Sequence, residues 1–282
     1  MKIRRVAVLG AGTMGHGIAH AAAVAGFDTA MYDVSRGAVE QGRQRVEDIL
    51  KKGVDLGKVT QEDADAALAR LAISDRLDET LAGADFVIEA APEQIDLKLH
   101  LIAEIDRHTP AHAVITTNTS ALSITEMAGA SKNPGRIAGM HFFNPVHRMK
   151  LIEIVRALET TADTLEAVAS VSARMGKETV LVRESPGFIT TRVNASIGNE
   201  AFYMLMEGVA SARDIDKALK LGLNHPMGPF ELVDLVGLDT RLSILEYLHK
   251  SMGEKYRPCP LLAQYVKAGR LGRKVGRGVY EY

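Results

Sequence analysis

Short apolar runs recur through the first two thirds of the chain, at residues 6–9, 29–32, 86–90, 114–117, 137–141, 151–155 and 179–182. Runs that are apolar throughout, instead of alternating with polar residues, are what strands buried on both faces require. Between them lie segments whose apolar positions return every three or four residues, at 14–25, 37–51, 61–70 and 97–107. That spacing puts an apolar stripe along one side of a helix. Strand and helix in alternation predict an α/β architecture, a mostly parallel sheet with helices on both faces, since each parallel connection needs a crossover that packs back on the sheet. After Ser185-Pro186-Gly187 the strand-like runs stop, and helical patterns alone remain at 189–208, 212–222, 229–252 and 260–268. The pattern therefore predicts an α/β domain over 1–183 and an all-α domain over 184–282. Gly222 and Pro229 stand as helix stop and start around Leu223-Asn224-His225-Pro226-Met227-Gly228.

The 282 residues, 46% of them hydrophobic, suffice for a core in each domain. With 34 Lys+Arg against 35 Asp+Glu the formal net charge is -1, which argues against a polyanion-binding surface and so against a nucleic-acid partner. The basic run from Arg270 to Arg277 is a short local feature. A single cysteine, Cys259, cannot close an intramolecular disulfide or build a cysteine metal cluster, so the chain reads as intracellular and cytoplasmic, and no metal is expected. Met1-Lys2-Ile3-Arg4-Arg5 runs at once into a strand, which leaves no room for the roughly 7–15-residue apolar core of a signal peptide. No segment approaches the roughly 18 unbroken apolar residues of a membrane span, so no membrane partner is expected.

The first chemical signal is Gly10-Ala11-Gly12-Thr13-Met14-Gly15, between the first strand and the first helix. The first glycine permits the tight turn, the second lets a pyrophosphate approach the backbone, and the third lets helix and strand pack closely; the helix start supplies amide hydrogens. A second strand follows and ends at Asp33, where a carboxylate would accept hydrogen bonds from ribose hydroxyls and repel a 2′-phosphate. NAD is therefore expected in preference to NADP, with Arg36 close by acting in the opposite sense. This is the Rossmann-type arrangement, whose ligands sit beyond the carboxyl ends of the strands; Gly12, Glu89 with Ala90, Asn118 and His141 all fall at such ends.

His141 opens His141-Phe142-Phe143-Asn144-Pro145, and Glu153 follows in an otherwise apolar strand. A histidine after an apolar strand is ordinarily a hydrogen-bonded core residue. Glu153 alters that weighing, because a carboxylate facing inward from such a strand needs a partner. If neighbouring strands carry the two residues, Glu153 can accept from one ring nitrogen and leave the other to act as a base. In Thr116-Thr117-Asn118-Thr119-Ser120 the polar side chains end a strand, and either Ser120 or Ser123 could cap the helix that follows.

With these motifs in order, the chain resembles the L-3-hydroxyacyl-CoA dehydrogenase family over nearly its whole length. The resemblance rests on Gly10 to Gly15, Val87-Ile88-Glu89-Ala90-Ala91-Pro92-Glu93, Asn118-Thr119-Ser120, His141 to Pro145, Lys150-Leu151-Ile152-Glu153, Ser185-Pro186-Gly187-Phe188, Asn224 to Pro229 and Leu271-Gly272-Arg273-Lys274. It implies reversible oxidation of a (3S)-3-hydroxyacyl-CoA to the 3-oxoacyl-CoA with NAD as hydride acceptor. His141 would be the general base and Glu153 its orienting partner, with Ser120 and Asn144 near the substrate oxygen and the nicotinamide. Glu93, Lys98 and Lys274 would contact NAD, and Lys51 and Lys52 the CoA moiety. The helical domain would carry the contacts of a homodimer. The chain departs from the family at Thr191, where Pro-Gly-Phe-x-x-Asn-Arg is the common reading; a threonine hydroxyl can still donate to the substrate carbonyl, though it is shorter than an amide and lacks its second donor. Two other readings stay open: a related dehydrogenase of a free hydroxy acid or sugar acid, which would not need Lys51 and Lys52, and a cofactor-binding protein without turnover.

Overall fold

A computed structural model describes residues 2–282. Eight strands form one sheet: β1 (Arg5–Leu9), β2 (Asp28–Tyr32), β3 (Leu71–Ser74), β4 (Phe86–Glu89), β5 (Val114–Thr117), β6 (Ile137–Phe142), β7 (Leu151–Arg156) and β8 (Glu178–Arg183), in the order β3-β2-β1-β4-β5-β6-β7-β8. Every neighbouring pair is parallel except β6 and β7. The reason is local. The segment between β6 and β7 is too short for a crossover helix, so the chain can only turn back on itself. Helices α1 (Gly15–Val24), α2 (Arg36–Asp55), α3 (Gln61–Ala69), α4 (Leu77–Leu81), α5 (Ile95–His108), α6 (Ile124–Ala128) and α7 (Ala162–Arg174) accompany the sheet. One core joins Val6, Val8, Met31, Phe86, Ile88, Met140, Ile152 and Ile154 of the strands to Ile18 and Ala22 of α1, Val46 and Leu50 of α2, and Val168 and Val171 of α7.

The chain separates into two compact units, one ending at Glu184 and one running from Ser185 to Tyr282. The second is helical: α8 (Thr190–Met206), α9 (Ala212–Gly222), α10 (Pro229–Val236), α11 (Leu238–Met252) and α12 (Pro260–Lys267). Its core gathers Phe202, Phe230, Leu238, Leu245, Leu248 and Leu262, with the Phe202 and Phe230 rings edge to face at 5.2 Å. Two buried carboxylates pin the last residues of the chain. Asp216 accepts from the backbone of Phe230 and Glu231 and from the Tyr280 hydroxyl, and Asp234 accepts from the backbone of Val279 and Tyr280 and from the Tyr282 hydroxyl. Burial pushes the Asp216 carboxyl above its ordinary range even though its three donors pull the other way.

Three expectations need correction. The strand β3 carries no run in the apolar pattern, because it follows α3 after one residue and lies at the sheet edge with only Leu71 buried. At the other edge, β8 is apolar yet exposed along most of its length, with Leu181 63% accessible; an edge strand has a partner on one side only, which its own composition does not reveal. The helical pattern over 229–252 is two helices, separated at Gly237, whose φ of +106° ends α10. Among the described residues no helix is long and apolar enough to cross a membrane, and no group of three or more His, Cys, Asp or Glu side chains could hold a metal ion.

Candidate active site

The ends of β1, β4, β5 and β6 bring the candidate residues of the N-terminal unit to one edge of the sheet. At the end of β1 the chain turns so tightly that a Cβ on Gly10 would lie 2.6 Å from the Ala90 carbonyl oxygen. One on Gly15 would lie 1.6 Å from the Gly10 oxygen, so α1 can start only against a glycine. Gly12 differs from both: it is exposed, with nothing within 4 Å of where a Cβ would be. Met14, at the cap of α1, forms no side-chain capping bond. Open ground over Gly12 and an uncapped helix start make a seat for an anion, so the residues present suit the pyrophosphate of a dinucleotide.

Asp33 follows β2 and braces this turn. Its Oδ2 accepts from the backbone N–H of Ala11 at 2.9 Å and its Oδ1 from that of Ser35 at 3.2 Å. Each carboxylate oxygen keeps a second lone pair for a ribose hydroxyl.

Glu89 ends β4 fully buried, and Lys98 of α5 meets it. The Lys98 ammonium lies 2.8 and 2.9 Å from the two Glu89 oxygens and 3.1 Å from the Ala91 carbonyl. Glu89 also accepts from the Thr117 hydroxyl at 2.6 Å and from the Ala91 N–H at 2.6 Å. Glu93 continues the chain of contacts: its Oε1 collects the Thr119 hydroxyl at 2.6 Å and the Ser120 N–H at 2.8 Å, while its Oε2 stands 3.6 Å from Lys98. At 1% exposure the ammonium is spent inside the protein, and what it orients is Glu89 and, through Glu93, the loop that carries Ser120. The signal was present in the helix: Lys98, Ile102 and Ile105 form the buried stripe of α5, so the lysine faces the core. Thr117 and Thr119, present in the polar motif after β5 but given no role there, are the hydroxyls that complete the network.

Asn118 ties three strand ends together. Its N–H donates to the Glu89 carbonyl at 2.7 Å and its side-chain oxygen accepts from the Phe142 N–H at 2.8 Å. Ser120 is not a helix cap, since Ser123 caps α6 by accepting from the Glu126 N–H.

The register of β6 on β7 sets His141 opposite Glu153. Both are buried, and His141 Nδ1 lies 2.7 Å from Glu153 Oε2. The Phe143 ring stands 4.6 Å from the imidazole, centroid to centroid. A carboxylate at this distance fixes the ring orientation and favours the tautomer with hydrogen on Nδ1.

Asn144 is exposed on the segment between β6 and β7, and Lys51 and Lys52 are exposed near the end of α2. Thr191, half-buried in the first turn of α8, and Lys274, whose Nζ lies 2.7 and 2.6 Å from the oxygens of Asp239, belong to the C-terminal unit.

Comparison with known proteins assigns both units. The model of the 3-hydroxyacyl-CoA dehydrogenase NAD binding domain matches residues 5–185, and that of the 3-hydroxyacyl-CoA dehydrogenase C-terminal domain matches residues 187–282. A probable 3-hydroxybutyryl-CoA dehydrogenase of Bacillus subtilis is 47% identical over 100% of this chain and 98% of its own length. The 3-hydroxybutyryl-CoA dehydrogenase of Bradyrhizobium diazoefficiens is 44% identical over 99% of this chain and 96% of its own. The crystal structure of (S)-3-hydroxybutyryl-CoA dehydrogenase from Ralstonia eutropha superposes with a TM-score of 0.96 at 45% identity, covering 100% of this chain and 99% of that one.

Proposed function

The chain belongs to the 3-hydroxyacyl-CoA dehydrogenase family and uses NAD, and on that premise we propose that it interconverts (3S)-3-hydroxybutyryl-CoA and acetoacetyl-CoA with His141 and Glu153 as its acid–base pair. The observation that carries the reading is the buried 2.7 Å contact between His141 Nδ1 and Glu153. NAD, when bound, accepts the hydride from C3 of the substrate. His141 Nε2 takes the hydroxyl proton as the oxygen becomes a carbonyl, and the imidazolium so formed faces a carboxylate that stabilises its charge. In reduction the same nitrogen returns the proton, which makes the reaction reversible. Ser120 and Asn144 serve the substrate oxygen and the nicotinamide; the Glu93 contact to the Ser120 N–H supports a fixed position for the first. Gly10, Gly12, Thr13, Met14, Gly15, Asp33, Glu89, Ala90, Glu93, Lys98 and Asn118 form the cofactor site. Lys274 joins them from the helical domain. Lys51 and Lys52 serve the CoA, and the whole runs through residues 1–183 for the cofactor and 184–282 for substrate and pairing. The test of substrate class is a panel of acetoacetyl-CoA, longer 3-oxoacyl-CoAs and free 3-oxo acids with NADH; a preference for the free acids would overturn the reading.

Asp33 carries the cofactor preference. A 2′-phosphate would meet its carboxylate, so kcat/KM should favour NADH over NADPH, and Asp33→Ser should narrow the ratio by removing the repulsion. Equal use of both cofactors by the wild type would contradict the assignment.

Thr191 stands for the missing asparagine as the donor to the substrate carbonyl. Thr191→Val keeps the shape and removes the hydroxyl, so kcat/KM for acetoacetyl-CoA should fall about 2–12-fold, the value of one hydrogen bond. A variant equal to wild type would remove Thr191 from the substrate site. The helical unit also leaves Val193, Val209 and Leu223 exposed, which supports a homodimer formed through it; a single-chain mass in sedimentation would contradict that.

A further inference from the structure

Three histidines, His16, His20 and His147, gather along α1: His16 Nδ1 lies 2.7 Å from the Gly12 carbonyl of the glycine turn, whereas His20 and His147 serve neither that turn nor the base pair. His16 and His20 are one turn apart on α1, on the same side of the helix. Between them Gly17 packs on Val146, and a Cβ on Gly17 would lie 3.0 Å from that side chain. This close approach brings His147, next in the chain, to His20, with ring centroids 6.2 Å apart and edge to face. Lys177, before β8, holds the segment in place by donating to the carbonyls of Val146 at 2.5 Å and Met149 at 2.8 Å.

The charges around this cluster have one sign. Arg45 of α2 acts on His16; His16, His147 and Lys177 act on His20; Arg148, Lys177, His16 and Lys52 act on His147. Burial above all, with a smaller push from these groups, holds all three imidazoles below their ordinary range, His20 down to about 4, while the bond to the Gly12 carbonyl pulls His16 the other way. His20 Nδ1 is buried and has no hydrogen-bond partner. Imidazoles gathered among cations, one with an unmet donor or acceptor, are arranged for an anion and are uncharged without one.

We propose that His20 and His147, with Arg148 beside them, form a phosphate subsite that receives the nucleotide end of the acyl-CoA. The inference rests on the CoA thioester being the substrate. Phosphate groups arrive with both ligands, and two observations favour the CoA. The open backbone at Gly12 and the start of α1 already suit the pyrophosphate of NAD, and His20 stands more than one turn further along that helix. Lys52, assigned to the CoA, is among the charges that act on His147. A bound phosphate would draw protons onto the imidazoles, so affinity for the CoA thioester should rise as pH falls from about 8 to about 6, more steeply in the wild type than in a variant lacking one ring.

The test is calorimetric titration, without turnover, of wild type, His147→Gln and His20→Gln with acetoacetyl-CoA, with the acetoacetyl thioester of pantetheine, which lacks the nucleotide phosphates, and with NADH. His147 is exposed, so its replacement leaves the core intact. Each variant should bind acetoacetyl-CoA roughly 3–10-fold more weakly, the range of a partly screened charged contact, with the pantetheine thioester and NADH unchanged and the pH dependence flattened. Equal weakening toward the pantetheine thioester, weakening toward NADH instead, or no weakening would each overturn the subsite. A wild type that binds no CoA thioester would overturn the substrate reading itself, and none of these outcomes depends on His141 as base.

Discussion

His141→Gln should lower kcat for acetoacetyl-CoA reduction by at least ~10²-fold, the lower bound of what a positioned general acid–base contributes, while NADH binds as in the wild type. Glutamine is close to histidine in size and can still donate to Glu153, so β6 and β7 keep their register and the loss falls on proton transfer. Steady-state rates together with NADH titration measure both quantities. Turnover near that of the wild type would remove His141 from the chemistry.

Lys98→Met should destabilise the N-terminal unit by about 3–5 kcal/mol, the usual effect of stranding one member of a buried ion pair. The ammonium is 1% exposed and Glu89 0%, so neither solvent nor a neighbouring cation can replace it. The Glu89 carboxylate would keep only the Thr117 hydroxyl and the Ala91 N–H. Urea unfolding measures the effect. Lys98→Met combined with Glu89→Gln should recover a large part of it, because the uncompensated charge is gone. A Lys98→Met protein as stable as wild type would mean that the pair is not the brace of this sheet edge.

What could be read before folding follows from how local each requirement is. Gly10, Gly12 and Gly15 answer to backbone geometry within six residues, so their spacing announces the turn and the open seat above it. Glu153 is legible for a different reason: a carboxylate inside an apolar strand must find a partner, and His141 was within reach of a neighbouring strand. The network of Glu89, Lys98, Glu93 and Thr119 was less legible, because it joins β4, α5 and β5 through side chains whose facing depends on how α5 lies on the sheet. Lys98 shares the buried stripe of α5 with Ile102 and Ile105, which turns it toward Glu89. Exposure of β8 and the break at Gly237 are tertiary in origin. Nothing in Val180 and Leu181 distinguishes an edge from a centre, and the apolar period runs through Gly237 without interruption.

The pairing of His141 with Glu153 is tested most directly by a double-mutant comparison of kcat. If the two act as one unit, Glu153→Gln lowers the rate by itself, and adding it to His141→Gln lowers it little further, since the carboxylate then has no imidazolium to stabilise. Losses that multiply in the double variant would contradict the account and separate Glu153 from the chemistry of His141.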